Sequence, residues 1–296
     1  MVYLIDASVY VFRAYFSVPD TLTDQDGNLV NALFGFGRFL GDLLESVRPE
    51  FIAVAFDESL DSSFRNDIYP AYKANREPPP PELRQQFALC RELVKGLGVM
   101  EAASEAFEAD DLIGTMATRM RGVGHNSVIV TRDKDLAQLL REGDEYWDFA
   151  SNKRLSYEEI PEFFGAQPEQ MADLLALAGD SVDNIPGVPG IGKKTAAALL
   201  RYFESLDDIY ENLDRVKEVP VRGAAKLANR LHAHRDDAYL AKRLTVIDCD
   251  APVACDESAM RRRKPDQAAL IALYDAAGFG RPLRNQAERI ALAYPR

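Results

Sequence analysis

With 296 residues, 47% of them hydrophobic, the chain is long enough for one large core or for a main domain with a smaller appendage. No apolar run approaches the roughly 20 residues that cross a bilayer, and the opening MVYLIDASVY puts an Asp where a signal peptide stays apolar, so a soluble cytoplasmic protein is expected. Cys90, Cys249 and Cys255 lack CxxC spacing and suggest neither a disulfide framework nor zinc; the net charge of −12, taken alone, argues against nucleic acid unless much of it is gathered around cations.

Short β-rich apolar runs at 2 to 5 (VYLI), 51 to 56 (FIAVAF) and 127 to 131 (SVIVT) predict buried strands. Asp6 and Asp57 directly follow the first two, and Asp133 lies just beyond the third. Helical patterns cover about 30 to 47, 81 to 97 and 109 to 120, with Pro49 and Gly98 as stops. This alternation predicts an α/β fold with a largely parallel sheet. The segment 76 to 81 (REPPPP) reads as a stiff, exposed connection. After EYWDF (145 to 149), short helices broken by Gly and Pro are expected at 157 to 164, 168 to 178, 193 to 203, 222 to 233, 235 to 242 and 265 to 278. They suggest a helical lobe over 166–296 following an α/β domain over 1–165, with 257 to 265 (ESAMRRRKP) as a mobile basic connector.

Ligands of parallel sheets bind beyond the carboxyl ends of the strands, so Asp6, Asp57 and Asp133 are expected to converge on one pole. A single Asp after a strand is commonly a turn or cap residue; three together are harder to explain that way. FEADDLIGTMATRM adds Glu108, Asp110 and Asp111 at a helix start. TRDKDLAQLL adds Asp135, and GDSVDNIPG adds Asp180 and Asp183, an i, i+3 pair expected to share one face of a helical turn. Such an all-oxygen set without His or Cys suits hard cations, Mg²⁺ or Mn²⁺, and its size suits two ions. Two ions about 4 Å apart serve in-line phosphoryl displacement.

IPGVPGIGKKTAAALLRYF (185 to 203) reads as a compact turn opening an apolar helix at Lys193, Lys194 and Thr195. Its glycines, Gly190 and Gly192 around Ile191, and the helix N-terminus could bind a phosphate or simply make a tight connection. FRNDIYPAYKANRE (64 to 77) interleaves Arg65, Lys73 and Arg76 with Tyr69 and Tyr72, a pattern for holding a phosphate and stacking on an unpaired base, or for a solvated surface.

The stretches LIDAS, VAFDESLDSSFRNDIYPAYKANR, EADDLIGTMA, TRDKDLAQLL and GDSVDNIPGVPGIGKKTA, in this order, resemble the bacterial 5′-to-3′ exonuclease and flap endonuclease family, which includes the N-terminal nuclease of DNA polymerase I. The resemblance implies a PIN-like sheet under a helical arch, and a helix-hairpin-helix (helix-three-turn-helix) element gripping duplex DNA. It places Asp6, Asp57, Glu108, Asp110 and Asp111 around one metal and Asp133, Asp135, Asp180 and Asp183 around a second. Lys73 and Arg76 match arch cations that contact the scissile phosphate, with Tyr72 beside them, and 190 to 195 match the hairpin's DNA contact. A K⁺ ion held by the carbonyls of Leu177, Ala178, Pro186, Val188 and Ile191 is also implied. Arg132 departs from the small residue of many members. The expected activity is hydrolysis of DNA with 5′ ends, flaps or branches by a monomer acting alongside a DNA polymerase and ligase. The rivals are a PIN-type ribonuclease and a branched-DNA binding module without turnover.

Overall fold

The computed structural model describes residues 1–58 and 63–294, so 59–62, inside the second family-like stretch, lie outside the described residues. Strands β1 (Val2–Asp6), β2 (Phe51–Asp57), β3 (Met100–Ser104), β4 (Ser127–Val130), β5 (Glu145–Asp148) and β6 (Lys153–Ser156) form one sheet in the order β3-β2-β1-β4-β5-β6. All neighbours are parallel except the β5–β6 hairpin. The largely parallel sheet expected from the sequence is therefore present, and three of its strands were not foreseen. MEAAS in β3 lacks a continuous apolar run, and the β5–β6 hairpin lies just before the first expected short helix, at 157 to 164.

The period-2 geometry of the strands sends alternate side chains to two cores. Leu4, Ala53, Ala55 and Ile129 enter one; Ile5, Ile52, Val54 and Val130 enter the other. Helices α1 (Ala7–Ser17), α2 (Asn31–Val47), α3 (Phe64–Ile68), α4 (Pro81–Gly96) and α5 (Ala109–Gly122) follow the strands. The first of these is absent from the sequence reading, because ASVYVFRAYFS is rich in β-branched and aromatic residues of modest helix propensity. Packing against α2 and a cap from Asp6 to the Val9 amide decide it instead. Pro81 opens α4 at a position where its missing N–H costs nothing, and α2 stops at Arg48 in the left-handed region, just before Pro49.

The remaining helices are α6 (Ile160–Phe164), α7 (Met171–Ala178), α8 (Lys193–Tyr202), α9 (Leu206–Glu211), α10 (Ala224–Ala233), α11 (Arg235–Thr245), α12 (Glu257–Met260), α13 (Gln267–Ala276) and α14 (Arg281–Leu292). The α7–α11 group shares a core with α5 and one face of the sheet. The last two helices return to the opposite face, where Leu270, Tyr274, Leu283 and Ile290 pack among α2 and α4 residues. Each such side chain contributes about 1.5–3 kcal/mol by leaving water. The connector before them is anchored rather than mobile: the Arg262 amide donates to the Glu50 carbonyl and the Arg263 amide to the Gly98 carbonyl. Among the described residues no helix is long and apolar enough to cross a membrane.

Candidate active site

The carboxyl ends of β1, β2 and β4 open into a cleft of about 690 Å³. Asp6, Asp57, Glu108, Asp110, Asp133 and Asp183 line it, together with Lys73 and Arg76. Asp6 is buried and accepts the Thr131 hydroxyl at 2.8 Å, and Thr131 Oγ1 also accepts the Asp133 amide at 2.9 Å. Asp57 accepts the Ser8 hydroxyl at 2.6 Å and the Ala109 amide, at the start of α5, at 2.8 Å. Ser8 and Thr131 thus aim two of the acids, and the sequence reading passed over both. Ser8 and Thr131 each lie two residues from one strand-end Asp but donate to a different one, so sequence proximity does not reveal the pairings.

Repulsion within the cleft is large. Burial, reinforced by Asp57 and Asp133, pushes the Asp6 carboxyl up to about 7. Burial and then Asp133, Asp6 and Asp57 drive Asp110 well above the ordinary carboxylate range, and no hydrogen bond from a described residue reaches its carboxylate. Other acids carry their own cations. Lys73 Nζ lies 2.8 Å from Glu108 Oε1, and although burial works to raise the Glu108 value, Lys73 and Arg65 hold it below the usual range. Arg76 pairs with Asp183. Lys134 Nζ contacts Asp180 at 2.6 Å and Asp135 at 3.1 Å.

Several sequence expectations are corrected by this geometry. Arg65 is no surface contact for DNA: it is 2% exposed and grips Asp111 in two parallel bonds of 2.8 and 2.7 Å. Asp111, fully buried, also accepts the amides of Glu108 and Asp248, so both of its carboxylate oxygens are engaged within the chain. Tyr72 presents no exposed ring face for stacking: the residue is 4% exposed at the cleft wall and its hydroxyl donates toward Glu108 Oε2 at 3.2 Å. Asp180 and Asp183 occupy a turn closed by reciprocal backbone bonds between Asp180 and Ile185, not a helical face, and engage different cations. Asp133 lies between the two expected groups of acids: its charge acts on Asp6 and Asp110 on one side and on Asp135, itself paired with Lys134, on the other. Arg132 is half exposed and pairs with Asp148 at 3.3 Å instead of lining the cleft.

The arch segment docks on the hairpin. The Lys73 amide donates to the Asp183 carbonyl, Asn75 to the Ser181 carbonyl and Asn184 to the Ala71 carbonyl. Beyond it, Ile185, Val188 and Ile191 are buried at every third position and pin the loop. A Cβ on Gly187 would stand 2.3 Å from the Gly179 amide nitrogen, so glycine is required there. Gly192 starts α8 with no side-chain cap, and Lys193 and Lys194 are exposed beside it, with Thr195 half-buried. Arg230 of α10, also missed in the sequence, reaches the Gly190 carbonyl at 3.2 Å and adds a cation to this surface. Of the carbonyls expected around K⁺, those of Leu177 and Val188 already accept the amides of Val188 and Ile191; each carbonyl keeps a second lone pair.

The donor chemistry fits hard divalent cations: Asp6, Asp57, Asp110 and Asp133 are all-oxygen ligands in one cleft, with no cation paired to any of them among the described residues. Among the described residues no three such side chains already form a ready coordination sphere, so a cation would have to draw them together.

Comparisons with known proteins bear on the family and the fold. Residues 1–165 match the family "5′-3′ exonuclease, N-terminal resolvase-like domain", and 166–268 match "5′-3′ exonuclease, C-terminal SAM fold". The chain is 37% identical to DNA polymerase I of Rhizobium leguminosarum over 97% of its own length but spans only 28% of that polymerase. It is 34% identical to the 5′-3′ exonuclease of Buchnera aphidicola subsp. Schizaphis graminum, covering 84% of this chain and 87% of the relative. A zinc-bound structure of T5 5′-exonuclease shares the fold, with a TM-score of 0.69 and 20% identity over 93% of this chain and 99% of that one. With successive family matches covering residues 1–268 and a near full-length relative, the chain belongs to the 5′-3′ exonuclease family.

Proposed function

We propose that the chain is a divalent-cation-dependent 5′ nuclease that hydrolyses phosphodiester bonds in DNA bearing 5′ ends, flaps or branches. The observation that carries this reading is the set Asp6, Asp57, Asp110 and Asp133, mutually repelling in one cleft while the acids around them carry cations of the chain. Mg²⁺ or Mn²⁺ held there, as two ions, supplies charge neutralisation for the phosphate and a more acidic water. Asp6, Asp57, Asp110 and Asp133 would hold the first, and Asp135, Asp180 and Asp183 belong to the second. Ser8 and Thr131 keep the first-site carboxylates aimed. Lys73 and Arg76 face the cleft and can exchange Glu108 and Asp183 for phosphate oxygens as charge develops.

Duplex DNA would rest on Gly190 to Thr195, where backbone amides, the α8 N-terminus and Lys193, Lys194 and Arg230 favour phosphate. A K⁺ ion at the hairpin carbonyls would add to that contact, and action as a monomer alongside a polymerase and ligase fits a nuclease related to polymerase I domains. Replacing both Lys193 and Lys194 by Ala should weaken duplex binding about tenfold near 0.1 M salt and reduce the log–log salt slope by about 2, measured by fluorescence anisotropy. Unchanged affinity and slope would remove the hairpin from the DNA surface.

The function is tested by incubating the protein with end-labelled 5′-flap, nicked, blunt and single-stranded DNA and matching RNA, with Mg²⁺, Mn²⁺ or EDTA. Cation-dependent release of 5′-terminal DNA products is expected. Cleavage persisting in EDTA refutes the cation reading, and cleavage confined to RNA refutes the choice of substrate.

A further inference from the structure

The acids near the cleft are neutralised in two physically different ways. Arg65 holds Asp111 through a rigid fork in which both side chains are almost wholly buried, 3% and 0% exposed. That pair is permanent. Lys134 differs: its ammonium lies between Asp135 and Asp180, on a flexible stem with 28% of the side chain exposed. Among the described residues, Asp180 otherwise accepts a hydrogen bond from the Val182 amide at 2.8 Å. Asp135 Oδ1 is buried and accepts no well-directed hydrogen bond, so its 3.1 Å approach to Lys134 is an attraction of charge without directed bonding. The two acids are therefore held apart from mutual repulsion by a cation of the chain that can leave for solvent. The first cleft set, by contrast, forms no ion pair with a cation among the described residues, and the Lys73 that lines its cleft is paired with Glu108.

We propose that Lys134 is a built-in placeholder for the second divalent cation: its ammonium occupies the position between Asp135 and Asp180 and must swing out before an ion binds there. The inference rests on the cation-dependent reading of the cleft. It makes Lys134 a positioning residue that keeps the second pair of acids folded and in place without metal, and it makes loading ordered. The first ion displaces no cation from its carboxylates, whereas the second enters by exchange with a lysine.

The test is Mn²⁺ binding to the intact chain, counted as free ion by electron paramagnetic resonance, for the wild type, Lys134→Met, Lys134→Gln and Lys134→Arg. The wild type should bind one ion tightly and a second at least about tenfold more weakly. Lys134→Met and Lys134→Gln should bind the second ion at least about tenfold more tightly, with the first unchanged, because the competing charge is gone. Lys134→Arg should retain weak second-ion binding. Thermal melting adds a readout: in EDTA the two neutral variants should melt below the wild type, and Mn²⁺ should close the gap. Second-ion affinity that is unchanged or weaker in both neutral variants overturns the placeholder role while leaving the cation reading intact. No Mn²⁺ binding by any of the four proteins overturns the cation reading and the placeholder with it.

Discussion

Asp110→Asn is expected to lower nuclease turnover by about 10³-fold and, in EDTA at pH 8, to raise the stability of the protein. Loss of activity follows because one charged ligand leaves a set whose purpose is to concentrate positive charge at a phosphate, and single electrostatic elements of active sites are worth about 10²–10³ in rate. Gain in stability follows from the same geometry. Asp110 gains no hydrogen bond from a described residue and stands among Asp6, Asp57 and Asp133, so its charge is a cost to the folded state. Removing that charge should therefore raise the melting temperature in EDTA at pH 8.

The pH dependence has a definite sign. The folded-state values of Asp6 and Asp135 are raised from 3.8 to about 7, and that of Asp110 is raised as well. The native protein therefore binds more protons than the unfolded chain between about pH 4 and 7, and cation-free stability falls as pH rises across that window. The advantage of Asp110→Asn should be largest at pH 8 and small at pH 5, as read by calorimetric melting in EDTA. Destabilisation by Asp110→Asn at pH 8 would instead mark the carboxylate as structural.

The sequence made the pole of the sheet legible because two independent signals coincide there: a buried parallel strand needs a continuous apolar run, and Asp6, Asp57 and Asp133 each follow one. It did not reveal which acids would be neutralised within the chain. Arg65 and Arg76 lie eleven residues apart in the same irregular segment, yet one is buried and the other faces the cleft. A five-residue helix such as α3 has no periodicity from which to tell inward from outward. Tyr72 lies beyond α3, in the turn over 70–75, where no period separates inward from outward side chains either. The hydroxyls of Ser8 and Thr131 escaped because their roles depend on contacts spanning 49 and 125 residues. The α14 helix is a different case: Leu283, Gln286, Ala287 and Ile290 are buried at helical spacing after Pro282, a pattern already present in the sequence.

Arg65→Met should cost about 3–5 kcal/mol and lower the melting temperature on the order of 10 °C, because it strands the Asp111 carboxylate in the interior. The guanidinium does more than pair with Asp111: it also donates to the carbonyls of Leu244 and Val246 at 2.8 and 3.1 Å, while Asp111 accepts the Asp248 amide. One buried ion pair thereby joins the base of the arch, the start of α5 and the segment after α11. Arg65→Lys should recover little, since an ammonium cannot supply the fork and the two carbonyl contacts together. Arg65→Met combined with Asp111→Leu should recover part of the loss, because no lone charge then remains buried. The alternative, a surface contact for DNA, makes the opposite forecast: weaker DNA binding with wild-type melting. Chemical denaturation and DNA titration of the same Arg65→Met preparation separate the two, and a folding loss below about 1 kcal/mol, the range of a surface pair, would return Arg65 to the DNA surface.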